Sequence, residues 1–211
     1  MESRDDAFVT AAHISLGLVT RQEVADRWDE PSALPEMTVG MLACHLGRQT
    51  VRAHELIPVA ATGTPLASAI EHYRRAAWVT TDDLTDPVND RTNDAEEAAL
   101  GFEALRATCT EALSAVQADL ASGEVADVVA IPWQGWSLRR PDFLLTRLVE
   151  IVVHCDDLAR SVDVGTPEFP DEVYLPVLQL LAQLATERHG QAAMTSALSR
   201  RERMPETISA F

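Results

Sequence analysis

The chain has 211 residues, enough for one domain with a substantial core. It carries 33 acidic side chains against 17 basic ones, every basic one an arginine, for a net charge of −16. That charge repels phosphate backbones and anionic lipid headgroups, which argues against nucleic acid and membrane surfaces as partners.

Ala, Leu, Val and Glu dominate and strand-like alternation is nearly absent, so the chain reads as mostly helical. A first helix is expected over 6–28, with Ala11, Ile14, Leu18, Ala25 and Trp28 on one stripe. Two prolines in DEPSALPEM break it. Thr38 reads as the N-cap of a second helix that continues to 57, just before Pro58. A shorter helix is expected over 66–79 and an acidic loop over 80–91. The third main helix carries Ala95, Ala98, Phe102, Leu105, Cys109, Leu113, Val116 and Leu120 on a continuous stripe. Asn93 and Glu96 form its expected capping pair, and Ser122-Gly123 stops it.

EVADVVAIPWQGWSLRR is the one extended-looking segment. Pro141 suits the first turn of a fourth helix that ends near Val164-Gly165. A fifth is expected over 171–189, stopped by Gly190, with a short sixth in AAMTSALSRRER. The expected fold is all-α: a four-helix bundle core over about 6–164 with a helical extension over 171–211, in one domain. No apolar run approaches the ~18 residues of a membrane span, and MESRDDAF does not read as a signal peptide. Cys44, Cys109 and Cys155 are odd in number and far apart, which fits a reducing cytoplasm without disulfides.

The fourth helix carries the chemistry. At ~100° per residue, Arg147, Glu150, His154 and Asp157 share one narrow polar stripe with apolar neighbours on both sides. Such a seam either faces water or lines an internal site. On the second helix, His45 shares a face with Met41, Leu42, Arg48, Gln49 and Arg52. Helical bundles build metal sites from inward side chains on facing helices, and a catalytic zinc keeps three protein ligands with one open position. His45, Glu150 and His154 would supply three. Two imidazoles and a carboxylate are also the ligand set of non-haem iron oxygenases, though nothing else here suggests that fold.

Two segments, MTVGMLACHLGRQ and LLTRLVEIVVHCDDLARSV, resemble the DinB-like metal-binding bundles, in particular the mycothiol-dependent maleylpyruvate isomerase branch. That branch has a T/S-V-x-x-L-x-x-H-L pattern on its second helix and R-x-x-E-x-x-x-H-x-x-D-L on its fourth. Both occur here in the same order, and the likeness extends over about 6–164. The resemblance implies His45, Glu150 and His154 as ligands of a divalent metal, usually zinc, with mycothiol as cosubstrate. A thiol in the open position would ionise near neutral pH and become a nucleophile for S-transfer or isomerisation of an electrophilic substrate. Arg48 and Arg52 would then be contacts for a substrate anion, and Asp157 would orient a ligand imidazole. Trp133 and Trp136 would roof the pocket, while Cys44 and Cys155 point away from it.

Two features depart from the branch. Met37 stands where it often has Trp, and the residues after 164 read as helices where the isomerase proper has an α/β domain. Maleylpyruvate isomerisation is therefore not carried over directly. The competing expectation is a non-catalytic metal-binding bundle acting as a small-molecule sensor or interaction module. On either reading the protein is a monomer or a homodimer.

Overall fold

In the computed structural model, which describes residues 3–79 and 90–211, the core is enclosed by α1 (Arg4–Val19), α3 (Val39–Leu56), α6 (Phe102–Ser122) and α7 (Arg140–Ser161). Helix α3 lies against α6 and α7, and α1 closes the ring against the same two. Phe8, Leu42, Leu46, Phe143, Leu148 and Ile151 are fully buried between them. Each such side chain contributes ~1.5–3 kcal/mol of transfer free energy, which is what holds these amphipathic helices together. Helix α8 (Asp171–Ser199) packs on the outside of α7 and α1. The fold is the all-α bundle expected from the periodicity. The one sheet among the described residues is the antiparallel hairpin β1 (Val128–Ile131) and β2 (Trp136–Arg139), in the segment read as extended.

Local chemistry sets the ends of the helices that matter most. The Thr38 hydroxyl accepts a 3.2 Å bond from Met41 N–H and starts α3 as expected. Pro141 lies in the first turn of α7, where its missing N–H costs nothing. That helix ends at Ser161, somewhat before Val164-Gly165. Within α8 the backbone leaves helical geometry at Gly190 (φ +82°), so the expected fifth helix stops there and the expected sixth follows as a second arm.

Three expectations need correction. The first expected helix is two, because the Thr20 N–H and hydroxyl both bond to Leu16 O and close α1 there. Arg21 is then extended and begins the short α2 (Gln22–Asp26). The 66–79 helix is shorter than expected: α4 (Ala69–Arg75) is followed by a 3-10 turn at Ala77–Val79. Leu66 is instead tied by its N–H to Ser137 O on β2.

The third correction bears on the site. The expected third helix is broken into α5 (Thr92–Ala99) and α6 at Gly101, whose φ of +88° a residue with a Cβ adopts only under strain. The Asn93–Glu96 capping pair does not form. Arg91 occupies the N-cap without a side-chain bond, and Asp90 accepts from the Thr92 N–H and hydroxyl instead. The Trp28 indole N–H donates to Ala98 O at 3.1 Å and pins the far end of α5. As a result α5 lies across α3. Of the expected acidic loop, residues 80–89 lie outside the described residues.

Candidate metal centre

Helices α3 and α7 face each other and bring together what the chain separates by more than a hundred residues. Nε2 of His45 and Nε2 of His154 each lie 3.4 Å from Oε2 of Glu150. One ligand atom from each of the three side chains lies within 4.8 Å of the other two. The seam on α7 therefore faces the bundle, not open water. The side chains retain 17–18% of their surface, enough to be reached from a cavity of about 310 Å³.

Two more carboxylates complete the arrangement. Nδ1 of His154 lies 3.0 Å from Asp157 and Nδ1 of His45 lies 3.3 Å from Asp94. Each imidazole thus turns Nδ1 to one carboxylate and Nε2 to Glu150; with an ion bound, the Nδ1–H would stay on the carboxylate and Nε2 would be the ligand atom. The Asp157 contact follows from its i,i+3 spacing. Asp94 was not foreseen. It comes from α5 and is almost fully buried, and it also pairs with Arg48 at 2.8 Å. In the sequence it is one more acid in the first turn of a helix, where negative charge is ordinary.

Burial would push the Glu150 carboxyl up, but hydrogen bonds from His154 and His45 outweigh it and hold the group well below the usual carboxylate range. Burial would likewise lower His154, yet Asp157 and Glu150 raise it to about 9. Without a cation between them, these three groups share protons. A divalent ion would do the same electrostatic work. The donor set suits one: two ligand atoms ~2.1 Å from a shared tetrahedral ion stand roughly 3.4 Å apart.

The structure divides the two arginines expected to contact a substrate. Arg48 is ion-paired with Asp94 at 2.8 Å and with Glu97 at 2.7 Å, so it serves the His45–Asp94 contact. The Arg52 guanidinium carbon lies over the Trp133 ring, 4.1 Å from its centroid, and Arg52 lines the cavity. Trp136 is not a roof. Its indole N–H donates to Nδ1 of His72 at 3.1 Å and sets that buried imidazole against the cavity wall. Burial lowers His72 to about 4, so it is neutral with its proton on Nε2. Cys44 and Cys155 are buried and outside the cluster, as their helical phase requires.

An all-α bundle with two histidines and a glutamate turned inward on facing helices defines the class: a helical bundle with a candidate ion site between its helices. The family can be stated more narrowly. The mycothiol maleylpyruvate isomerase N-terminal domain family matches residues 9–159, and the chain belongs to it. That span runs from α1 into α7 and contains all three converging residues. No curated protein and no solved structure matches the chain.

Proposed function

We propose that His45, Glu150 and His154 hold one divalent ion, zinc in the first place, and that the protein is a thiol-dependent S-transferase or isomerase-like enzyme using mycothiol. The observation that carries this reading is the convergence of two imidazole Nε2 atoms on one partly buried carboxylate at a cavity wall, in a chain of this family. When bound, the ion supplies the positive charge that lets a thiol in its open position ionise near neutral pH.

The chain's own residues have separate tasks. Asp94 and Asp157 accept the Nδ1 protons and fix both rings. Glu150 cancels one positive charge, which leaves a site still attractive to an anionic sulfur. Val149, Val153 and Met37 line the same cavity and limit water beside the reacting atoms. No described cysteine is available as an alternative nucleophile, because burial pushes all three thiols up to about 12.

The test has two stages. Elemental analysis of protein purified without a chelating column should find one zinc per chain. Electrophiles should then be turned over with mycothiol by the intact protein and not by the metal-stripped one. Turnover indifferent to both thiol and metal would sink the proposal. Retained metal with no turnover on any electrophile would favour the non-catalytic bundle.

A further inference from the structure

Phe211 lines the cavity, although it lies beyond the last helical turn and far in sequence from the other lining residues. Its route there starts at the end of the first arm of α8. That arm is fastened to the body, because Arg74 on α4 holds Glu187 with two bonds at 2.9 and 2.5 Å. At Gly190 the backbone leaves helical geometry, and the second arm runs largely in solvent: of residues 191–199 only Met194 is buried. After a 3-10 turn at Arg201–Arg203, residues 204–211 return to the first arm without helix or strand.

Two side-chain contacts hold the returning segment down. Nε2–H of His189 donates to Ser209 O at 2.8 Å. The Phe211 ring then rests against Tyr73 and Trp78, with centroids 5.4 and 5.0 Å away. Tyr73 is fully buried and forms the floor of this seat, while Trp78 is half-buried and lines the cavity beside Phe211. Other bonds of Ser209 and Phe211 stay inside the segment: Ser209 N–H donates to Thr207 Oγ1, and Phe211 N–H to Ser209 Oγ. Among the described residues, no backbone-to-backbone hydrogen bond ties 204–211 to the rest of the chain. Moving a helix would break a whole ladder of such bonds. Lifting this segment undoes one imidazole bond and one aromatic seat, and lids are drawn from such weakly held elements.

We propose that residues 204–211 are a strap across the cavity, latched by Phe211 and clasped by His189. With the ring seated against Tyr73 and Trp78, one side of the cavity is closed; with the ring lifted, small molecules enter and leave. The strap rests on how this segment is held, and not on the metal, the thiol or the reaction proposed above.

The test reads access to the cavity through a thiol reporter. Val149 is only 2% exposed and lines the cavity, so a reagent reaches that position through it. In the full chain carrying Val149→Cys, alkylation by iodoacetamide at pH 8 is followed by peptide mass spectrometry. Cys44, Cys109 and Cys155 are the internal control, since burial raises their thiols to about 12 and keeps them slow. With the strap intact the introduced thiol should react slowly. Adding Phe211→Ala should speed it at least tenfold. Adding His189→Ala, which removes the clasp and leaves the ring, should speed it by a smaller factor. Leu198→Ala, on the exposed side of the second arm, should change nothing. A rise confined to position 149 supports the strap, and a Phe211→Ala rate equal to that of the intact strap overturns it. If Phe211→Ala also speeds the three native cysteines, it has loosened the whole bundle and His189→Ala decides: a faster rate at position 149 alone supports the strap, and an unchanged one overturns it. The measurement involves no cosubstrate and no turnover, so failure of the proposed function would leave its outcome untouched.

Discussion

Asp94 on α5 accepts the Nδ1–H of His45 on α3 at 3.3 Å, and this carboxylate is almost wholly buried. The contact exists because Gly101 turns the chain between α5 and α6 and Trp28 anchors the end of α5. Such partners of a ligand imidazole are typically worth ~10–100-fold in metal affinity. Asp94→Asn keeps the shape and removes the charge, so it should weaken zinc binding at least ~10-fold. Competition against a chromophoric chelator measures it. An affinity equal to wild type would show that Asp94 serves only Arg48.

Removing a member of the cluster should have a larger effect. His154→Ala leaves His45 and Glu150 as the only two of the three, and two ligands do not retain zinc against a chelator. Metal content after dialysis should fall from one ion per chain to background. The helical circular dichroism spectrum should persist, because the core around α7 rests on Phe143, Leu148 and Ile151. Full metal retention in the variant would remove His154 from the ligand set.

The bundle's tightest approaches are at two glycines of α3. A Cβ at Gly40 would meet the Trp28 ring at 2.5–2.7 Å, and one at Gly47 would meet Cys109 Sγ at 2.5 Å. Alanine gains ~1 kcal/mol of helix propensity over glycine, but overpacking costs ~1–3 kcal/mol. Gly40→Ala should be destabilising, because the indole is held by its bond to Ala98 O. Gly47→Ala should also destabilise, and adding Cys109→Ala should recover part of the loss by opening the space. Urea denaturation midpoints check both. A Gly40→Ala protein as stable as wild type would contradict the packing.

The three cysteines give a prediction in pH. Burial raises Cys44, Cys109 and Cys155 from the ordinary 9 to about 12, and only the thiolate reacts with iodoacetamide. In the native protein, alkylation should be slow at pH 8 and still rising above pH 10. In denaturant all three should react fast, with a rate that levels off from about pH 10, where an exposed thiol is mostly ionised. Rapid native labelling of any of them at pH 8, read by mass spectrometry, would contradict their burial.

What the sequence by itself determined was whatever repeats along one helix or is capped by a neighbour. The stripes gave the bundle, Thr38 the start of α3, and i,i+3 or i,i+4 spacing the Glu150–His154–Asp157 edge. The likeness of two short segments to one family then paired His45 with that edge. Contacts between distant segments were not legible. No periodicity reports that Thr20 or Gly101 interrupts a helix, because the apolar stripe resumes in phase beyond each break. Asp94 looks like any first-turn acid until α5 is laid across α3. Arg48 and Arg52, four residues apart on one face, look alike until Asp94 and Glu97 neutralise the first and Trp133 takes the second. Spacing fixes which side chains share a face; only the packing of one helix on another decides which charges meet a partner.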